Sequence, residues 1–232
     1  MYSPAHFFCL VALIAVFVCG LFFDNSVLMY VKPLSSLALI FLYFEHRAKI
    51  NPIYLLLVGV IMVNDALIYD GFDKNFLYIS ILLSFYYVLC FYMLRPYLFY
   101  KELKLSEILK LPIFIAVLLV VYLTISILQL VLPFLEESLY SIASIVITLF
   151  LFLSICFLIY SQNRFTHSYF LLITACSAIF VNALVPIQEL YYTQPIFPAT
   201  SNAVDFISMF FYLKFLIHAA PNPFLPDQKK YL

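Results

Sequence analysis

Eight apolar stretches, each about the length needed to cross a bilayer as a helix, take up almost the whole chain, and this pattern limits its fold more than any other feature. The stretches cover approximately His6–Phe23, Leu28–Phe44, Pro52–Tyr69, Asn75–Met93, Leu109–Leu132, Ser138–Tyr160, Ser168–Ile187 and Ala199–Ala220. A hydrocarbon core of about 30 Å needs about 20 residues at a rise of 1.5 Å each. The expected fold is therefore all-α: one polytopic transmembrane domain over residues 1–232, built as a bundle of about eight helices. Short connections such as DNS, DGFDKN and PFLEES make sequential helices antiparallel neighbours.

Composition excludes the main alternatives. Apolar residues make up 66% of the 232, charged residues only 10%, and mean hydropathy is +1.07. No room remains for a soluble catalytic domain, and a net charge of zero argues against a nucleic-acid partner. Cys9, Cys19, Cys90, Cys156 and Cys176 all lie in apolar runs without metal-ligand spacing and read as small core residues. The amino-terminal stretch lacks a basic leader and a small-x-small cleavage site, and is expected to be a retained helix.

Orientation follows from the basic residues. If eight spans alternate, Arg47, Lys49, Arg95, Lys101, Lys104, Lys110, Arg164, Lys229 and Lys230 share one side and only Lys74 faces the other. The positive-inside rule then puts both termini in the cytoplasm, as in a bacterial inner-membrane protein. With only Gly20, Gly59 and Gly71 and no GxxxG, neither close glycine-mediated packing nor glycine-hinged helices are expected.

Charges inside spans are costly, so they mark candidate functional positions. Lys32, Asp65, Asp205 and Lys214 qualify, with Asn64, Asn182 and Gln188 as polar companions. Counting from the loops places Lys32, Asp65, Asn182 and Asp205 in the outer half of the membrane, where they are expected to share a pocket. Lys214, nine residues after Asp205, falls on the opposite helix face at about 100° per residue. Pro33 removes an amide donor opposite Met29 and leaves backbone polarity beside Lys32. His6, His46, His167 and His218 lie near helix ends on the basic side, remote from that pocket, and no metal or cofactor is expected.

The order YVKPLSSLALIFLYF, VNDALIYDG, an aromatic fourth helix, AIFVNALVP and DFISMFFYLKFLIHA resembles the YhhN family, whose characterised members are lysoplasmalogenases. The resemblance spans nearly the whole chain. Lys32, Pro33 and Leu34 match the family's Lys-Pro-Leu, and Asn64-Asp65 stands where Gly-Asp is usual. Departures fall at polar positions: SFYYVLCFY lacks the fourth-helix histidine, Val181-Asn182 replaces Ser-Asp, and Lys214 replaces a glutamine.

The resemblance implies hydrolysis of the vinyl ether of a lysoplasmalogen, so that the partner is a membrane lysophospholipid. A carboxylic acid protonates the alkene carbon, and a second carboxylate stabilises the resulting cation or activates water. The expected acid is Asp65, in a pocket shaped by Lys32, Asn64, Asn182 and Asp205. Two further readings stay open: a catalytically inactive lipid-binding or structural relative, and a small transporter.

Overall fold

A computed structural model describes residues 4–23, 25–46, 51–98, 111–134, 138–191 and 194–220. Its helices are α1 (Pro4–Phe22), α2 (Asn25–His46), α3 (Pro52–Leu94), α4 (Leu111–Val131), α5 (Leu139–Gln162), α6 (Tyr169–Leu190) and α7 (Ile196–His218). Among the described residues there is no β-strand. By length and composition, α1, α2, α3, α5 and α6 can each cross a membrane, which fits an α-helical integral membrane protein. Most of the residues behind the orientation argument lie outside the described residues: Arg47, Lys49, Lys101, Lys104, Lys110, Lys229 and Lys230, with Asp24, Glu136 and Glu137.

Helix α2 shows how these sequences divide their faces. Leu28, Lys32, Ser35, Leu39 and Leu42 are buried, whereas Tyr30, Leu34, Leu37 and Phe41 are exposed at the same helical spacing. A water-facing helix would put its charges on the second stripe. Here the exposed stripe is apolar and the one lysine points inward, as expected for a helix solvated by lipid.

The connection expected at DGFDKN is not a loop. Helix α3 runs through it, broken only at Gly71, whose φ of 146° and ψ of 109° lie outside the helical region. That conformation is cheap only for glycine. The helix doubles back there, because both of its ends meet the same end of the bundle. Tyr54 packs on Tyr43 at 4.4 Å between centroids, Tyr97 packs on Phe215 at 5.2 Å, and His46 and His218 beside them are 6.0 Å apart. The Asn51 side chain accepts a hydrogen bond from Ile53 N and Pro52 occupies the first turn, which starts the first arm cleanly.

Two expectations about glycine are thereby corrected. Gly71 is a hinge within a helix, and Gly20 is a close-packing site: a Cβ on Gly20 would lie 2.6 Å from Ala199 Cα. Motif reading missed both because neither needs a second glycine; an alanine backbone on α7 completes the contact. This contact seats α1 on α7, while α1 also packs on α2 and α7 on α6, so the first and last helices are neighbours. The second arm of α3 packs on α5, whereas α4 packs chiefly on α6, so strict sequential adjacency fails at α4. The main core joins α1, α2, α3, α5, α6 and α7, and a smaller cluster of Phe72, Phe76, Ile79 and Ile142 fills the Gly71 end.

Candidate functional site

The buried stripe of α2 carries Lys32 into the bundle, where two carboxylates meet it. Its Nζ lies 2.9 Å from Asp65 Oδ1 on the first arm of α3 and 3.0 Å from Asp205 Oδ2 on α7. Lys32 and Asp65 are buried, at 8% and 5% exposure, and Asp205 is partly so. One ammonium between two carboxylates meets the requirement that charges at such depth be paired. Helix α2 continues through Pro33, and Ser35 Oγ donates to the Lys32 carbonyl at 2.6 Å.

Around this triad the structure brings together every residue the sequence singled out for the pocket. Lys32, Asn64, Asp65, Asn182 and Asp205 all line one cavity of about 160 Å³, the rest of whose wall is mainly apolar and comes from α3, α4, α5 and α6. Asn182 Nδ2 donates to Ala178 O at 2.8 Å and to the Tyr87 hydroxyl, whose ring stacks on Phe152. Asn64 is 2% exposed and its Oδ1 has no hydrogen-bond partner among the described residues. Leaving such an acceptor unmatched costs about 1–3 kcal/mol, so the cavity has a built-in place for a donor.

A second, smaller cavity of about 20 Å³ shares Lys32, Asp65, Ile68, Val181 and Val185 with the first and is also flanked by Tyr69, Gln188, Ser201 and Asn202. Tyr69 Oη donates to Asn202 Oδ1 at 2.8 Å and Ser201 Oγ to Gln188 Oε1 at 2.7 Å, while Asn202 Nδ2 is buried with no acceptor among the described residues. Sequence reasoning did not single out Tyr69, Ser201 or Asn202. The signal was present: Tyr69 is four residues after Asp65, and Ser201 and Asn202 are four and three before Asp205, so each shares a helix face with a charged residue.

Lys214 stays apart from the triad, as its helix phase requires. Its Nζ contacts His6 Nε2 and lies 5.6 Å from the Phe210 ring centre. The four histidines, drawn from α1, α2, the α5–α6 turn and α7, form a chain at this opposite end: His6–His46 at 5.5 Å, His46–His218 at 6.0 Å and His218–His167 at 6.1 Å between ring centres. They line neither cavity. Among the described residues no group of three or more His, Cys, Asp or Glu is disposed to hold a metal ion.

No family model, curated protein or solved structure matches this chain.

Proposed function

We propose that this chain is a multi-pass protein of the bacterial inner membrane, with eight spans and both termini cytoplasmic, that hydrolyses the vinyl ether bond of a lysoplasmalogen-like membrane lipid. The two arms of α3 count as separate spans in this reading, and the basic-residue asymmetry supports its direction. The observation that carries the chemistry is the Lys32–Asp65–Asp205 triad at the edge of a mainly apolar cavity. Such a cavity suits the aliphatic end of a lipid, and the triad gives its polar end an acid and an anion.

Charge balance assigns the roles. Two ionised carboxylates and one ammonium would leave a net negative charge buried; one retained proton makes the cluster neutral. Asp65, the deeper carboxyl, is the acid that delivers its proton to the alkene carbon. Asp205 stays anionic beside the oxocarbenium ion and stands in for the carboxylate that Asn182 has replaced. Lys32 fixes both carboxyls, Asn182 borders the chamber, and Asn64 Oδ1 accepts a hydrogen bond from the lipid's polar portion.

A second reading has its own observation. Both carboxylates are already engaged by Lys32, as they would be in a lipid-binding relative that has lost turnover. Aldehyde release from lysoplasmalogen by purified protein in lipid separates the two: hydrolysis that drops at least about 100-fold in Asp65→Asn supports the enzyme, and lysolipid binding without aldehyde supports the binder. Equal rates for wild type and Asp65→Asn remove Asp65 from the chemistry.

A further inference from the structure

We propose that the small cavity bordered by Lys32, Asp65, Tyr69 and Asn202 is a water site linked outward through Ser201 and Gln188, with Asn202 as the residue that positions the water. Its use in turnover rests on the hydrolase reading above; its existence does not.

The pair, together with Ile68, Val181 and Val185, borders two cavities at once. One is the cavity of about 160 Å³ with mainly apolar walls; the other, of about 20 Å³, adds Tyr69, Gln188, Ser201 and Asn202 to those shared residues and is richer in polar groups. A single water needs about 10–15 Å³ and two to four polar partners. The smaller cavity meets both conditions and is far too small for a lipid chain. Asn202, 5% exposed, has its orientation fixed by Tyr69 Oη on Oδ1, which leaves the buried Nδ2 as a donor for which the described residues supply no acceptor. Lys32 and Asp65 border the same space.

A polar route leads outward from there. Ser201 Oγ donates to Gln188 Oε1 at 2.7 Å, and Gln188 Nε2 donates to Glu189 Oε1 at 3.1 Å, where Glu189 is partly exposed near the end of α6. In the large cavity the polar groups beyond the triad and its two asparagines are Thr124, Tyr86 and Tyr87, set among apolar side chains.

The proposed reaction consumes one water per turnover. Asp65 gives its proton to the alkene carbon, and the water oxygen bonds to the adjacent oxocarbenium carbon. The proton that water loses returns to the carboxylate. The hemiacetal then breaks its carbon–oxygen bond as the departing ether oxygen takes a proton and the hemiacetal hydroxyl gives one up, which yields aldehyde and alcohol. A water held behind Asp65 supplies both the oxygen and the replacement proton, so both reach the lipid past one carboxyl.

The test uses the full chain in lipid nanodiscs. Wild type at high resolution is expected to show an ordered solvent peak within hydrogen-bonding distance of the Asn202 amide and Asp65, and Asn202→Leu is expected to lose it. With lysoplasmalogen, kcat of Asn202→Leu falls about 10- to 100-fold while KM changes by less than about twofold. Asn202→Ser, which keeps a donor and adds space, recovers most of the rate and is the deciding variant if the leucine form does not fold. A wild-type cavity without the peak overturns the proposal, as do wild-type rates in the variants that lose it. A peak in a wild-type protein that releases no aldehyde upholds the water site and rejects the hydrolase reading.

Discussion

Lys32 Nζ and Asp65 Oδ1 sit 2.9 Å apart although 33 residues separate them in sequence, and the same ammonium holds Asp205 at 3.0 Å. Removing the cation therefore does more than remove one bond: Lys32→Met leaves two carboxyls facing each other out of water. We expect a loss of about 3–5 kcal/mol, the usual cost of orphaning a buried charge. Adding Asp65→Asn and Asp205→Asn to Lys32→Met should recover part of it. Thermal unfolding in detergent checks this; a triple variant less stable than Lys32→Met would mean that the charges are not what the lysine compensates.

Gly71→Ala is expected to destabilise by about 1–3 kcal/mol, because φ of 146° is strained for any residue with a Cβ. Gly59→Ala is the internal control: it lies within α3 and its added Cβ meets nothing within 4 Å. That variant should be neutral or slightly stabilising. Equal melting temperatures for the two would contradict the hinge.

At Gly20 the added methyl meets backbone rather than a flexible side chain, so α1 has to move away from α7. Gly20→Val should cost about 1–3 kcal/mol. Cysteine cross-linking between the Gly20 end of α1 and the Ala199 end of α7 measures the separation directly, and unchanged cross-linking efficiency would contradict the contact.

Asn182→Asp restores the carboxylate that the family resemblance expects, but the site is built for an amide. Nδ2 donates to Ala178 O at 2.8 Å, and an ionised carboxylate there would face a carbonyl oxygen. The expected outcome is a stability loss of about 1–3 kcal/mol with no gain in aldehyde release. A gain in turnover would show that the tyrosine and backbone contacts of Asn182 yield easily.

The helices and the inward direction of Lys32, Asp65, Asn182 and Asp205 were legible because a bilayer makes polar residues conspicuous against a uniformly apolar background. Asp205, only seven residues into its apolar stretch by sequence, could also have been an interfacial residue; the second ion pair of Lys32 is what draws it inward. Gly71 was hidden because DGFDKN has the composition of a loop, yet five of its six residues keep helical geometry. Ser201 and Asn202 were hidden for another reason. Small polar side chains are common in membrane helices, and only the two charged neighbours on the same face distinguish them. That the four histidines share one end was legible from the alternation of spans, but which of them become neighbours depends on which helices adjoin, and no local pattern encodes that.

Helices α1 and α7 run antiparallel along each other's length: His6 meets Lys214 at one end and Gly20 meets Ala199 at the other. The first and last helices thus pack together more extensively than the consecutive pairs α2–α3 and α5–α6. Where the polypeptide is cut then matters less than which helices adjoin, so a circularly permuted chain, joined from α7 to α1 and reopened at the α5–α6 turn, can preserve every helix contact described above.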